Sequence, residues 1–253
     1  MFYMATMVLW VVGTMADSNK EAHRKLEPRK TPPYLQVISR KGYALGFDSK
    51  TRQPLWVAYR LRKSDTEAVC ERVKCFKKDA LIDDCPEPQD YCYSGFERGH
   101  MAPCEDMLYS TNRMVESFIM SNMSPQYMHV NRGVWKSVEE HVHKWAMKFG
   151  EIYVVDGPIF DGTDDGIETG KGLIVKPCAF YKIIYTKRNG GMMLAFQVEN
   201  KENGLEPFTS NPDLYVRSVK RIEDVTGFSF FDDICLSDNI EELKAQDDIG
   251  IWW

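Results

Sequence analysis

The chain has 253 residues, enough for one large domain or two small ones with a buried core. Hydrophobic residues make up 43% and charged residues 27% of it, an ordinary globular composition that excludes extended disorder. The formal net charge of -5 argues at first sight against a polyanionic partner. However, seven acids stand against one base between Asp232 and Asp248, so the remainder of the chain is close to neutral.

Two short segments are locally basic, and a nearby phosphate senses such local charge within a Debye length of about 8–10 Å. Alternatively, these side chains only solvate the surface. The first segment contains Arg72, Lys74, Lys77 and Lys78, and the second contains Arg132, Lys136, Lys144 and Lys148.

The N-terminus begins with an apolar stretch over residues 2–12, too short for a membrane span of about 20 residues. It suits the core of a signal peptide, with Thr14 and Ala16 as small residues before a cut, although no positive charge precedes it. Residues 1–16 are therefore predicted as a possible signal peptide and 17–33 as a polar leader or linker. A secreted or periplasmic protein without stable membrane association is expected. The alternative is an uncleaved N-terminus on an intracellular or organellar protein.

From residue 34 the pattern is that of strands. YLQVIS and YALGFD flank Arg40-Lys41-Gly42 and predict a hairpin, and PLWVAYRLR predicts a third strand. Residues 70–94 form a long connection, and ESFIMSN is predicted as a strand that ends at Asn122.

The stretch 132–149 predicts a helix, because apolar residues recur at three- and four-residue steps and Gly150 follows as a stop signal. Those apolar residues are Trp135, Val138, Val142, Trp145 and Phe149. Three more strands are predicted in EIYVVDG, GLIVKPCAFYKIIYT and GMMLAFQVE, followed by a short helix closed by Gly227. This order predicts an α+β domain over residues 34–236 with a mixed, mostly antiparallel central sheet, and an acidic C-terminal tail over 237–253.

Seven cysteines are present, and four of them fall in the loop-like stretch between Cys70 and Cys92. In an exported protein, disulfide bonds are expected there, and the odd total leaves at least one thiol unpaired in a monomer. None of the four forms a CxxC pair, so a structural zinc site has little support.

The segment YSGFERGHMAP, residues 93–103, carries the strongest chemical signal. Arg98, Gly99 and His100 place a permanent cation, a flexible glycine and a group that titrates near neutrality side by side. A histidine alone is more often a structural residue, so its neighbours carry the interpretation.

A second segment, residues 121–140, supplies amides between a strand and a helix, namely Asn122, Gln126 and Asn131. Asn131 is a favoured N-cap type, and on the helix it would project inward with Trp135, where a buried amide needs a partner. Glu139, eight positions on, would lie about 80° around the helix and could reach the same pocket. The alternatives are a plain N-cap and an exposed acid.

These two segments resemble the DNA/RNA non-specific endonucleases of the ββα-metal fold. The family pattern of Asp-Arg-Gly-His appears here as Glu97-Arg98-Gly99-His100, and it is followed by Asn122 with Gln126 and by Asn131 with Glu139. The resemblance extends over PLWVAYRL, YVVDGPIF, VKPCAFYKIIY and IEDVTGFSFF, roughly residues 34–236.

The resemblance implies a ββα-metal finger active site and hydrolysis of DNA and RNA with little base preference. It implies that His100 takes the proton from the attacking water and that Asn131 is the direct protein ligand of Mg²⁺, for which Mn²⁺ can substitute. Glu139 would hold a metal-bound water and Asn122 would fix the histidine or the metal shell. Arg98 belongs to the signature, and Arg72 resembles the arginine that faces the phosphate. A homodimer is possible by the same analogy.

The chain departs from the family at Glu97, where the additional methylene moves the carboxylate outward. This favours, as the alternative function, a catalytically weakened nucleic-acid-binding protein on the same scaffold. A zinc enzyme built from His129, His141, His143 and cysteines is disfavoured, because residues 141 and 143 point about 200° apart on a helix.

Overall fold

The computed structural model describes residues 25–202, 211–235 and 237–252. The predicted signal peptide and the first part of the predicted leader, up to residue 24, lie outside the described residues. Among the described helices, none is long and apolar enough to span a membrane.

A seven-stranded antiparallel sheet forms the centre of the molecule, in the order β1-β2-β3-β6-β9-β10-β11. Two two-stranded antiparallel sheets, β4-β5 and β7-β8, flank it. The strands are β1 (Gln36–Ser39), β2 (Ala44–Asp48), β3 (Gln53–Arg62), β4 (Glu97–His100), β5 (Met123–Gln126), β6 (Glu151–Ile159), β7 (Gly166–Thr169), β8 (Gly172–Val175), β9 (Ala179–Thr186), β10 (Met192–Glu199) and β11 (Val216–Arg217). The α+β prediction with its mostly antiparallel sheet is confirmed.

The helices cover the two faces of this sheet. They are α1 (Thr111–Ser117), α2 (Trp135–Phe149), α3 (Val219–Thr226) and α4 (Ile240–Ala245). The predicted apolar stripe of α2, from Trp135 to Phe149, is buried in one core cluster with β3, β6 and β9. On the other face, Val219 and Ile222 of α3 join a second cluster. Gly150 ends α2 at φ 86° and Gly227 ends α3 at φ 76°, as predicted for both helices.

Two predicted strands differ in the structure. GLIVKPCAFYKIIYT is divided into β8 and β9, since Pro177 between them lacks an N–H for the sheet. The prediction of a strand in ESFIMSN is wrong, because this segment is the end of α1 followed by a 3₁₀ turn over Met120–Asn122. Its buried apolar side chains, such as Phe118, fit a core turn as well as a strand, and periodicity does not separate the two.

The predicted disulfide bonds are also wrong, because all seven cysteines, each within the described ranges, are free. Cys70 donates a weak hydrogen bond to the carbonyl oxygen of Leu108 (3.1 Å). Cys85 is buried in the main core, whereas Cys92 is exposed. These thiols lie in different environments along the connection instead of forming a cross-linked loop.

The acidic C-terminal segment packs on the domain. Lys244 of α4 is buried between Glu223 (2.7 Å) and Asp232 (2.8 Å), which neutralises part of the local negative charge. Trp252 is fully buried, with its ring centroid 5.0 Å from that of Trp145 on α2. The acids around these residues therefore lie on a folded segment.

Candidate active site

The antiparallel strand pair β4-β5 and helix α2 together build a ββα unit on one face of the central sheet. Glu97 pairs with Gln126 and His100 with Met123 across this strand pair. Gly99 is buried against Gln126, and a Cβ at this glycine would lie 2.2 Å from the Gln126 side chain. Glycine therefore allows the close strand packing that fixes the backbone of His100.

We expect Gly99→Ala to destabilise the protein by about 1–3 kcal/mol, because the added methyl overlaps the fully buried side chain of Gln126, which must shift to make room. Thermal unfolding followed by circular dichroism should show a melting temperature several degrees lower. Gly170→Ala is the matched control, because its Cβ would meet no atom within 4 Å. Equal melting temperatures for the two variants would contradict this account of the packing between β4 and β5.

A cleft of about 650 Å³ opens beside the ββα unit. It brings together six of the seven site residues that the sequence predicted, namely Arg72, Glu97, Arg98, His100, Asn131 and Glu139. These residues come from a long loop, a strand, the irregular turn before α2 and α2 itself, so the fold collects them from positions up to 67 residues apart in the sequence.

The imidazole of His100 is held by two aromatic rings and not by a hydrogen bond. Its centroid lies 4.9 Å from that of Phe118, edge to face, and 5.7 Å from that of Phe76. Its Nε2 has no hydrogen-bond partner among the described residues. Burial, together with the nearby cation of Arg72, lowers the pKa of His100 to about 3. The ring is therefore neutral at physiological pH, with a lone pair that can accept a proton.

The side chain of Asn131 is oriented by Glu97. Its Nδ2 donates a 2.7 Å hydrogen bond to Glu97 Oε2, which leaves the carboxamide oxygen as the end that can bind a cation. Arg132 forms an ion pair with the other oxygen of the same carboxylate. The carboxylate of Glu97 thus bridges Asn131 and Arg132, with one oxygen bound to each residue.

Asn131 is not the predicted N-cap of the helix. It lies in a π-helical turn over Val130–Val134, in which Gly133 has non-helical angles (φ -99°, ψ -114°). The residue before α2 is Val134. The irregular turn redirects Asn131 from the helix stripe toward Glu97 on β4.

Glu139 reaches the cleft from α2, above a buried ion pair in the sheet. Burial raises the pKa of Glu139 to about 8, while the cation of Lys182 acts in the opposite direction. Lys182 itself is fully buried, paired with Asp156 on the adjacent strand, and its Nζ lies 4.9 Å from the ring centroid of Trp135. A cation in the cleft would favour the ionised form of Glu139 further.

The two arginines of the site have different surroundings. Arg98 donates to the carbonyl oxygen of Pro88 (3.1 and 2.6 Å), and its guanidinium lies 5.1 Å from the ring centroid of Phe76. Arg72 is more exposed and pairs with Glu105 at 2.7 Å. Arg98 therefore fixes the start of β4, while Arg72 extends at the rim of the cleft near His100.

Asn122 does not line the cleft, and it does not contact the imidazole as expected. It is fully buried, and its Nδ2 donates to the carbonyl oxygens of Ala102 (2.9 Å) and Ser117 (2.8 Å). Its Oδ1 accepts from the backbone N–H of Ala102 (2.9 Å). With its polar atoms committed to the main chain, Asn122 anchors the backbone that leaves His100.

Lys74, Arg132 and Lys136 were not predicted as site residues, although all three line the cleft. The two basic segments of the sequence could have indicated these residues. Each segment contributes two residues to the cleft, the first from the long loop and the second from the α2 side. Five cations line it in all, against the acids Glu97, Glu105 and Glu139. A cleft with this excess of positive charge attracts a phosphate backbone.

The donor set fits a hydrated hard cation. Mg²⁺ keeps several waters and needs only one or two protein oxygens, and Asn131 with Glu139 beside it supplies them. A compact zinc site has no support in residues 25–202, 211–235 and 237–252, which contain no group of three or more suitable His, Cys, Asp or Glu side chains. His141 Nδ1 lies 2.7 Å from the carbonyl oxygen of Ser137, whereas His143 lies 3.1 Å from Asp106.

The chain is similar to several nucleases. It is 29% identical to the mitochondrial nuclease EXOG of Mus musculus over 221 residues, which cover 81% of this chain and 59% of that protein. It is 31% identical to the mitochondrial endonuclease G of Homo sapiens over 173 residues, 64% of this chain and 58% of that protein. The chain thus spans about three fifths of the length of these relatives.

A solved structure, that of the EndoG/EndoGI complex, aligns with a TM-score of 0.73 at 27% identity and covers 81% of this chain and 89% of the solved one. The named relatives also overturn one prediction. A secreted or periplasmic location is wrong, because EXOG and endonuclease G are mitochondrial nucleases.

The family assignment rests on most of the chain. The sequence model of the DNA/RNA non-specific endonucleases matches residues 26–235, and this range includes every residue of the ββα unit and its cleft. The chain therefore belongs to the DNA/RNA non-specific endonuclease family.

Proposed function

We propose that this protein is a metal-dependent endonuclease that hydrolyses phosphodiester bonds of DNA and RNA with little base preference. The observation that carries the proposal is a neutral imidazole, with its Nε2 unpaired, sharing one cleft with the oriented carboxamide of Asn131. Buried polar atoms are normally hydrogen-bonded, so an unpaired one in a cleft calls for a chemical explanation.

His100 is the general base in this proposal. Its neutral ring accepts a proton from a water that attacks the phosphorus atom, a step typically worth 10²–10⁴-fold in rate. Phe118 and Phe76 keep the ring fixed at its position, so orientation does not depend on a hydrogen-bond partner. Arg72 at the rim stabilises negative charge on the phosphoryl oxygens.

Asn131, with Glu97 and Glu139 beside it, would hold Mg²⁺, or Mn²⁺ in its place. When bound, the metal neutralises charge on the phosphoryl and leaving oxygens. Glu97 orients Asn131 through Nδ2, and Glu139 would accept hydrogen bonds from water bound to the metal. A neutral amide ligand leaves most of the ion's charge for the substrate.

Weak base preference follows from the groups that face the substrate. The cleft offers arginine and lysine side chains, which contact phosphates and carry little information about the bases. Mitochondrial relatives support an organellar location for this chain. The homodimer suggested by the family resemblance stays a prediction.

Metal removal tests this function directly. We expect EDTA to abolish nicking of a supercoiled plasmid and added Mg²⁺ or Mn²⁺ to restore it. The reason is that the cation neutralises negative charge on the phosphoryl and leaving oxygens that the side chains of the cleft do not neutralise alone. The same samples should cut single-stranded RNA under the same metal dependence. Binding without any cutting in the presence of either metal would favour the weakened binding protein instead.

A further inference from the structure

Tyr93, three residues before the cleft-lining Phe96, has an unusual conformation. Its side chain is fully exposed, at 107% of the reference area, and its backbone lies in the left-handed region at φ 60°. A bulky residue is rarely found there, because the conformation costs of the order of 1–3 kcal/mol. Since the ring gains no packing in return, folding alone does not explain the choice of residue.

The turn that carries Tyr93 is held firmly. Cys92 N–H donates to the carbonyl oxygen of Gln89 (2.9 Å), and the Ser94 hydroxyl donates to that of Tyr91 (2.9 Å). The N–H of Phe96 donates to the same hydroxyl at 3.1 Å. Tyr91 itself is buried beneath the turn. The exposed ring of residue 93 is therefore presented on a rigid support, and little entropy is lost when it binds a ligand.

The turn leads directly into the cleft. Phe96 and Glu97 line the cleft, and three extended residues span at most about 10 Å. Nucleotides of a stacked strand follow one another at about 3.4 Å. A strand with its scissile phosphate near His100 can therefore extend along the cleft past Phe96 and bring a nucleotide a few positions away to Tyr93.

We propose that Tyr93 is a base-stacking residue that binds an unpaired nucleotide a few positions along the strand from the scissile phosphate. The proposal rests on the proposed nuclease function and adds a contact outside the catalytic groups. A tyrosine ring stacks on the face of any base, so the contact tolerates all sequences. Within an intact duplex those faces are covered by neighbouring base pairs, so the contact favours single-stranded or locally opened nucleic acid.

The test measures binding without turnover. A single-stranded oligonucleotide containing 2-aminopurine is titrated in EDTA against the wild-type protein and against Tyr93→Ala, Tyr93→Phe and Tyr93→Gly. We expect Tyr93→Ala to weaken binding about 5- to 100-fold and to remove quenching of the fluorophore, and Tyr93→Phe to retain both. Tyr34→Ala, at another exposed tyrosine, is the matched control and should bind like the wild type.

Tyr93→Gly separates the stacking role from a structural one. Glycine adopts φ 60° without strain, so this variant should melt at a higher temperature than the wild type and still lose single-strand binding. A duplex oligonucleotide, titrated in EDTA in the same way, should lose less affinity than the single strand in Tyr93→Ala and Tyr93→Gly.

Three outcomes would overturn the proposal. In the first, Tyr93→Ala binds the single strand as tightly as the wild type. In the second, Tyr93→Ala weakens duplex and single-strand binding equally. In the third, Tyr93→Phe loses as much affinity for the single strand as Tyr93→Ala. A wild-type protein that neither binds nor cuts nucleic acid would overturn the proposed function itself, and the proposal with it, and this result is distinct from those three.

Discussion

Replacement of His100 by alanine should lower kcat for plasmid nicking by about 10²–10⁴-fold, the usual worth of a positioned general base. In the proposed function this imidazole is the group that removes the proton from water. The effect should appear in kcat with little change in KM, because the five cations of the cleft, which would bind the substrate backbone, are untouched.

Controls for His100→Ala must separate chemistry from folding. The ring packs on Phe118 and Phe76, so circular dichroism of the variant should first show a native spectrum. His141→Ala, on the outer part of α2 and outside the cleft, should cut like the wild type. Added imidazole should partly restore nicking by His100→Ala, since the vacated space opens into the cleft. A folded His100→Ala protein with wild-type activity would reject the assignment of the base.

Much of the fold could be predicted from the sequence, because side-chain periodicity reflects burial. The five apolar residues of α2 are all buried, and Gly150 and Gly227 end their helices. The first hairpin forms with Ser39 opposite Ala44, as its turn residues predicted. In each of these elements, local propensity and tertiary packing favour the same conformation.

The errors fall where local pattern does not determine structure. The apolar residues of segment 116–122 are buried in the core. Apolar residues fit an extended strand as well as a turn, so they do not predict which backbone conformation forms. Disulfide bonds were predicted from cysteine spacing in a chain assumed to be exported, but spacing contains no distance between sulfur atoms. The assumption about location was itself wrong.

The composition of the site was predicted better than its internal contacts. The family motif identified six residues that line one cleft, but helical projection placed Asn131 on the inward stripe with Trp135. The π-helical turn at Gly133 breaks that projection, and the periodicity of the apolar residues does not predict such a turn. In the sequence, Arg132 is recognisable only as one charge in a basic segment, because its ion pair with Glu97 joins residues 35 positions apart.

Asn131→Ala should reduce both metal binding and cleavage. The variant removes the carboxamide oxygen that the Glu97 hydrogen bond leaves facing the cleft, and with it the proposed direct protein ligand of Mg²⁺. Because a bound metal supplies several kcal/mol of charge stabilisation and each 1.4 kcal/mol is tenfold, kcat should fall about 100-fold or more. Titration with Mn²⁺ followed by electron paramagnetic resonance should show weaker binding in the absence of substrate.

Two further variants define the role of the amide. Asn112→Ala, on the exposed surface of α1, is the matched control and should leave Mn²⁺ binding and nicking unchanged. Asn131→Asp keeps an oxygen ligand, but it places a second carboxylate beside Glu97 and removes the hydrogen-bond donor to Glu97. Its kcat for cleavage should therefore lie between those of the wild type and Asn131→Ala. If Asn131→Ala binds Mn²⁺ as tightly as the wild type, the metal is held elsewhere in the cleft, and the orientation of Asn131 by Glu97 then serves the structure of the turn.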